Sequence, residues 1–389
     1  MTSHQAAYHA AKTIPLPLKF FALGLIGLSI LTLPVAAFIL ALLPGSATAD
    51  GGALDPTTVG ILMADAALVC ASCVLGVVLG LNLLHNQRRH ARRFVEALVA
   101  TNVGVLLCEI MIGGVEAANA WLLARIAFYI ALSVYLDPSL SRERKLRRKL
   151  HKAEDRKRAH DGTLGLDESG KGYLELNFFN LFWIFTTCCV LGIVIETVYV
   201  FLMTGHYQNR TGMLYGPFSP IYGVGAVLMT VALNRFHKKN VVLIFLVSAL
   251  LGGAFEYAVS WFLQFAFGIV AWDYTGQWLS IGGRTCGKYM IFWGILGCAW
   301  IKLLLPSLLK LINRIPWNWR YGVTTVCAAA MLVNASMTLM ALDCWYQREA
   351  GMPPETAVEQ FMAKDYNNEF MANHFQAMSI NPENATRAK

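Results

Sequence analysis

Apolar runs about as long as a lipid bilayer is thick recur along this chain of 389 residues and are separated by short polar breaks. A hydrocarbon core about 30 Å thick is crossed by about 20 residues of helix, so each run predicts a membrane-spanning helix. The composition agrees, with 56% hydrophobic and 14% charged residues. We therefore expect an all-α polytopic membrane protein, which excludes a soluble enzyme, a disulfide-based scaffold and a nucleic-acid-binding module.

Nine runs are predicted as membrane spans, and basic residues give their direction. Lysine and arginine concentrate in cytoplasmic loops, and here they cluster in residues 85–93, 140–158, 235–239 and 310–320. A path that starts with a cytoplasmic amino terminus places all four clusters inside. The third and fourth runs, within residues 95–136, are short and could instead form a re-entrant pair. The predicted spans are 18–43, 57–84, 95–115, 118–136, 178–203, 217–234, 241–267, 288–305 and 321–344.

A polar segment rich in lysine, arginine and glycine divides the chain at residues 137–176. It is either a solvated connector or, in its first half, a basic amphipathic helix that touches anionic headgroups. The predicted organisation is a four-helix membrane region (1–136), this basic cytoplasmic linker, a five-helix permease-like region (177–344) and an extracytoplasmic tail (345–389).

The five-helix region contains a short internal repeat. The hexapeptide Leu191–Glu196 has a counterpart in Leu251–Glu256, and each lies on a helix predicted to run outward. Each is followed by an outer segment rich in aromatic residues and glycine, and then by a returning helix. Two helical hairpins of the same orientation form a parallel repeat, and in transporters substrate sites lie at the interface between repeats.

Glu196 and Glu256 are the most costly residues of the predicted spans. A carboxylate deep in a bilayer costs about 2.5 to 3.5 kcal/mol on insertion scales, so each should face the protein interior and serve a function. Ser260 extends the same helix face as Glu256, one turn further on. The alternative is that both glutamates only hydrogen-bond neighbouring helices. Glu109 and Arg125, in the third and fourth spans, are expected to form a structural ion pair.

The outer segments of the repeat should line a vestibule in the outer leaflet. Their prolines and glycines interrupt the helices, and irregular backbone at membrane depth is tolerated only where it lines a cavity or is buried in protein. The tryptophans and tyrosines here could also be an interfacial belt, and Asp273 with Arg284 could be only a structural salt bridge. The predicted substrate-binding or ion-binding residues are Glu196, Glu256, Arg210, Tyr215, Tyr222, Ser260, Asp273 and Arg284, with Lys288 at the wall.

Several motifs of catalytic or cofactor sites are absent or incomplete. The segment from Gly282 to Lys288 resembles a P-loop, but Tyr289 replaces the serine or threonine that would hold magnesium, and no strand precedes it. No histidine lies within a predicted span. We therefore expect no metal, no cofactor, no catalytic residue and no ATP hydrolysis on this chain.

The motifs of the second half resemble the ABC-transporter type IV membrane family of bacteria. The resemblance covers residues 177–378 and departs from the family's pattern at Thr211 and Ser280. It implies a permease-type, multi-pass protein of the bacterial cytoplasmic membrane. The residues that carry it are Gly192, Glu196, Asn209, Arg210, Gly212, Leu214 to Pro217, Pro220 to Gly223, Glu256, Tyr257, Ser260, Trp261, Trp272 to Tyr274, Gly283 and Arg284.

The predicted function is therefore a permease-like transport component with a polar outer-leaflet cavity. Membrane lipids are its expected partners, with ATP hydrolysed, if at all, by a separate cytoplasmic ATPase subunit; nucleic acid is excluded and an oligomer is open. The alternative is a membrane-embedded enzyme that acts on a lipid or lipid-linked substrate, with Glu256 as general base and Arg210 or Arg284 holding an anionic headgroup. A third is an accessory protein that recruits others through its tail.

Overall fold

The computed structural model describes residues 14–46, 55–136, 157–161, 163, 165–167, 170, 172–315 and 319–385. Most of the predicted linker 137–176 lies outside these ranges. The described residues are mainly helical, and the chain divides into two compact units, one up to His151 and one from Lys152 to Ala385.

The described part of the first unit contains four helices, each packed against the next. The second helix begins where the Asp55 side chain accepts a hydrogen bond from the Thr57 amide over 3.0 Å, with Pro56 in the first turn. Close approach to the first helix depends on Gly80, where a Cβ atom would lie 2.4 Å from Ile26. The helices are α1 (Leu16–Ser46), α2 (Pro56–Leu84), α3 (Arg88–Gly113) and α4 (Ala117–Leu136).

The second unit contains the predicted five-helix region. Its fourth span is continuous over Gly287–Ile312 but contains one π-helical turn, Trp300–Leu304. The elements are α5 (Phe178–Thr204), α6 (Pro220–Leu233), α7 (Val241–Phe267), α8 (Gly287–Ala299), the π turn, α9 (Leu305–Ile312) and α10 (Arg320–Glu349).

All nine predicted spans lie on helices, and seven helical segments of the described chain are long and apolar enough to cross a membrane. The two shorter apolar segments are Ala117–Ser133 and Pro220–Leu233. The prediction of a multi-pass, all-α membrane protein is therefore confirmed, while the count of nine spans and the topology stay predictions.

The tail after α10 is folded, which the sequence did not indicate. Two short helices, α11 (Ala357–Asp365) and α12 (Asn368–His374), pack through Met362, Met371 and Phe375, all fully buried. Strand β2 (Ser379–Ile380) then pairs antiparallel with β1 (Ile269–Val270), which directly follows α7. The tail therefore folds back onto the end of the unit that the sequence predicts to be external.

Two glycines let the helices of each hairpin come into close contact. A Cβ atom on Gly192 in α5 would lie 2.1 Å from the Tyr222 ring of α6, and one on Gly252 in α7 would lie 2.0 Å from the Trp293 ring of α8. Neither distance is compatible with a side chain. Each aromatic ring thus lies over a glycine, four residues before a glutamate.

We expect Gly252→Ala to lower the stability of the purified protein by about 1 to 3 kcal/mol, because the added methyl group overpacks the contact with Trp293. Gly322→Ala is the matched control, since the Cβ position of this helical glycine has no neighbour within 4 Å. The control should gain up to about 1 kcal/mol from helix propensity. Thermal unfolding in detergent measures both, and equal Tm values for the two variants would contradict the packing argument.

Candidate functional site

The first hairpin holds Glu196 in an ion pair. Glu196 lies on α5, and Arg210 lies in the irregular segment between α5 and α6. The Arg210 Nε atom donates to Glu196 Oε1 over 2.8 Å, and its Nη2 atom makes a second contact with the same oxygen. Both side chains are largely buried, with 23% and 20% exposed. Arg210 is therefore the buried counter-charge of Glu196.

The remaining oxygen of Glu196 is also occupied. The Tyr222 hydroxyl of α6 donates to Glu196 Oε2 over 2.5 Å. Arg210 is held in turn by Gln208, whose Oε1 atom accepts from Nη1 over 3.2 Å. Since the charge of Glu196 is neutralised and both oxygens accept hydrogen bonds, this carboxylate is poorly placed to bind a further cation.

The second hairpin holds Glu256 without a counter-charge from any residue that the structure describes. Glu256 on α7 is 8% exposed, and its Oε2 atom accepts a hydrogen bond from Thr285 Oγ1 over 3.1 Å. The Trp293 side chain of α8 lies close enough to this carboxylate to interact with it. Glu256 takes part in none of the ion pairs found between described residues. Ser260 is buried one turn further along α7.

The two glutamates thus share one local arrangement. In each hairpin a glycine lies four residues before the glutamate, an aromatic ring of the returning helix packs over that glycine, and the same aromatic residue interacts with the carboxylate. Tyr222 has this role for Glu196 and Trp293 has it for Glu256. What differs is the third partner, which is a cation in the first hairpin and a hydroxyl in the second.

Asp273 and Arg284, in the outer segment after α7, do not form a salt bridge with each other. The Asp273 carboxylate is exposed and accepts hydrogen bonds from the Thr275 hydroxyl and amide over 2.6 and 2.8 Å, which lower the pKa of Asp273. Arg284 instead donates to Gln264 Oε1 over 2.6 Å. Its guanidinium lies 5.8 and 5.5 Å from the ring centres of Tyr257 and Phe265. The turn before Arg284 depends on Gly282 and Gly283, whose φ angles of 57° and 71° favour glycine.

Tyr274 is a site residue that the prediction missed. Its ring stacks on that of Tyr289 with 4.5 Å between centroids. Burial raises the pKa of Tyr274 above its usual range, and the charges of Glu256 and, more weakly, Glu196 raise it further. Tyr274 is therefore close enough to both carboxylates for their charges to affect its pKa. The signal in the sequence was its place in the segment Trp272 to Tyr274, of which only Asp273 was selected.

Tyr215 does not hydrogen-bond either glutamate but has partners in α10 and in the tail. Its backbone is held by Asn334 of α10, with distances of 3.1 Å to its amide and 2.7 Å to its carbonyl. Its hydroxyl hydrogen-bonds the Tyr366 hydroxyl of the tail. Lys288 is exposed, with its Nζ atom 5.6 Å from the Tyr289 ring centre.

The tail also contacts the segment that carries Arg210. The Asn209 amide donates to the Gln376 side chain over 2.9 Å, and the Asn209 side chain donates to the His374 carbonyl over 3.0 Å. The His374 ring contacts the Met213 carbonyl over 2.9 Å. The loop that supplies the counter-charge of Glu196 is therefore held in place by hydrogen bonds to the tail.

In the first unit, the expected ion pair of Glu109 with Arg125 is not observed. Glu109 Oε2 instead accepts from Asn119 Nδ2 over 3.0 Å, because Asn119 lies just after the tight turn between α3 and α4. Within the described chain the Arg125 Nε atom is buried without a hydrogen-bond partner. Asp65 on α2, which was not selected from the sequence, is close enough to Glu109 for their charges to interact.

The helices and the buried carboxylates define a multi-pass integral membrane protein with polar groups enclosed by its second unit. Residues 183–339, which are 157 of the 389 residues, match the family model described as "Putative ABC-transporter type IV". This match confirms the resemblance to this family over the matched residues, which include all eight predicted site residues. No curated protein and no solved structure matches the chain.

We expect the pair of Glu196 with Arg210 to stabilise the fold. Glu196→Gln and Arg210→Gln should each cost about 1 to 3 kcal/mol, because each leaves a largely buried charge with weaker partners. The double variant should lose less than the sum of the two, and chemical denaturation in detergent measures all three.

The control for this cycle is the Arg92–Glu96 pair, which spans one helical turn with a distance of 2.8 Å between Nε and Oε1 and a half-exposed glutamate. Its coupling energy should be only about 0.3 to 0.5 kcal/mol. A coupling energy for Glu196 and Arg210 that is no larger than this control would show that the buried pair does not organise the site.

Proposed function

We propose that the protein is a permease-like transport component of the bacterial cytoplasmic membrane. A polar cavity in the predicted outer leaflet binds a proton, a cationic group or a polar substrate, and any ATP is hydrolysed by a separate cytoplasmic subunit. The family match supports a transporter-type membrane component. The observation that carries the proposal is Glu256, a buried carboxylate that accepts a hydrogen bond from the neutral Thr285 hydroxyl and has no paired cation among the described residues.

The cost of burial makes Glu256 the functional carboxylate of the two. A charge of this kind in a membrane is retained when it faces an ion or substrate path, and it otherwise acquires a partner. Glu196 has such a partner in Arg210, whereas the hydroxyl of Thr285 leaves the charge of Glu256 uncompensated. In the proposed cycle Glu256 takes up and releases a proton or a cationic group, and Glu196 keeps the neighbouring loop in position.

The remaining candidates surround these two groups. Ser260, Tyr222 and Tyr274 would form the polar lining, and Arg284 would order the loop through Gln264. Asp273 would stand at the exposed mouth. The matching arrangement of glycine, aromatic residue and glutamate in the two hairpins supports the proposed parallel repeat, and a site between repeats is common in transporters.

The two alternatives find less support. A lipid-modifying enzyme would need a free cation for the headgroup, but Arg210 is neutralised by Glu196 and Arg284 is engaged by Gln264. An accessory protein would present its tail to others, but the tail buries Met362 and Phe375 in its own chain. Turnover in a lipid extract, or loss of function on deletion of residues 350–389 alone, would favour these alternatives respectively.

Proton flux in proteoliposomes tests the role of Glu256. The chain is purified from its own membranes with any bound partner and reconstituted with a pH-sensitive dye inside the vesicles. Glu256→Gln should reduce the rate of pH change at least about tenfold, as expected for loss of an essential acid or base. Its Tm should change little, because the amide oxygen still accepts the hydrogen bond of Thr285.

The matched control is Glu369→Gln, which removes one carboxylate from an exposed position in the tail. The control should transport at the rate of the wild type. Wild-type flux in Glu256→Gln would remove the central argument for transport through this site.

A further inference from the structure

A groove of about 340 Å³ lies on the surface of the second unit, between the first turns of α7 and the second half of α8. Its lining is apolar. Val241, Val242 and Ile295 are more than half exposed although they are aliphatic. The full lining is Val241, Val242, Phe245, Ile295 and Cys298.

The groove results from the close contact of α7 with α8. A Cβ atom on Gly294 would lie 2.5 Å from the Phe245 ring, and one on Gly297 would lie 2.0 Å from Ser248 Oγ. These glycines let the two helices pack closely. The larger side chains on either side of the contact therefore form the walls of the groove. The Cys298 thiol closes the end of the groove through a contact of 3.6 Å with the Val241 carbonyl.

Positive charge surrounds one end of this groove. Lys238 and Lys239 are exposed in the turn just before α7. Lys302 follows Cys298 by four residues and is fixed by a hydrogen bond of 2.5 Å from its Nζ atom to the His237 carbonyl. Neither residues 235–245 nor residues 291–305 contain an acidic residue.

The amino terminus of α7 adds a partial positive charge at the same place. This helix has 27 residues, and its first turn forms part of the groove. The Asn240 side chain accepts only the Val242 amide. Backbone amides at the start of a helix attract anions. An apolar channel with cations at one end therefore suits a ligand that has both an anionic group and an apolar chain.

We propose that this groove binds an anionic phospholipid from the leaflet that the sequence predicts to be cytoplasmic. The acyl chain lies along Val241, Phe245 and Ile295, and the phosphate lies among Lys238, Lys239 and Lys302. Basic pockets between helices on the cytoplasmic side are typical sites of anionic headgroups. A soluble anion would not use the apolar channel, and a zwitterionic lipid would gain less from the lysines.

Native mass spectrometry of the full chain tests the headgroup part of the proposal. The protein is titrated with phosphatidylglycerol and with phosphatidylcholine of identical acyl chains. We expect tighter binding of phosphatidylglycerol, and Lys238→Gln with Lys239→Gln should weaken it by roughly fivefold for each lysine. Arg93→Gln with Lys364→Gln removes the same charge from exposed positions elsewhere and should leave binding unchanged.

A second variant tests the groove itself. Ile295→Trp fills the channel and should displace phosphatidylglycerol while the lysines remain. Val333→Trp is its control, since Val333 is 61% exposed on α10 and lies outside the groove. The Tm of each variant shows whether it is folded.

Three outcomes would overturn the proposal. Equal affinity for the two lipids would remove the role of charge. Unchanged binding in folded Ile295→Trp would show that the acyl chain lies elsewhere. Displacement of the lipid by millimolar glycerol phosphate would indicate a site for a soluble anion only.

Discussion

The second unit depends on one constraint: a carboxylate within a membrane must find hydrogen-bond donors inside the protein. Glu196 receives them from Arg210 and Tyr222, and Glu256 receives one from Thr285, with Trp293 also close by. In each hairpin one of these partners comes from the returning helix and the other from the outer segment. The outer segments therefore have to fold inward, and this requirement accounts for their glycine-rich, non-helical backbone.

The spacing of glycine and glutamate meets two needs at once. The glycine removes the side chain that would block the returning helix, and the aromatic residue that occupies the space interacts with the glutamate one turn away. Changing either residue of the spacing would disturb both helix packing and the solvation of the carboxylate. This coupling explains why a short hexapeptide match in the sequence corresponds to a similar local arrangement around the two glutamates.

The sequence was sufficient for the fold class and for the positions of the spans, because length and apolar content determine whether a helix can cross a bilayer. It also singled out Glu196 and Glu256, since charged residues in apolar runs are conspicuous, and Arg210, which lies in the irregular segment after α5. It could not determine which charges meet. Opposite charges on adjacent spans suggested a pair of Glu109 with Arg125, yet the nearer donor at the turn was the amide of Asn119.

The folded tail illustrates a second limit. Helices of nine and seven residues are marginal by themselves and depend on tertiary contacts, here the burial of Met362, Met371 and Phe375. Polar composition alone therefore gave no sign of them. The tail and Tyr274 departed from expectation for the same reason. Long-range packing determines the conformation of segments in which apolar residues have no strong local periodicity.

The difference between the two glutamates follows from what surrounds otherwise equivalent positions. An arginine that is itself held by Gln208, in a loop tied to the tail through Asn209, gives Glu196 a fixed neutral environment. Thr285 offers Glu256 one hydrogen bond and no charge, so the free energy of that carboxylate depends on whether a proton or cation is present. In the proposed repeat of two similar hairpins, one site would thus hold the outer loops in place while the other remains responsive. The proposed division of roles needs no change in backbone, only the replacement of one cation by one hydroxyl.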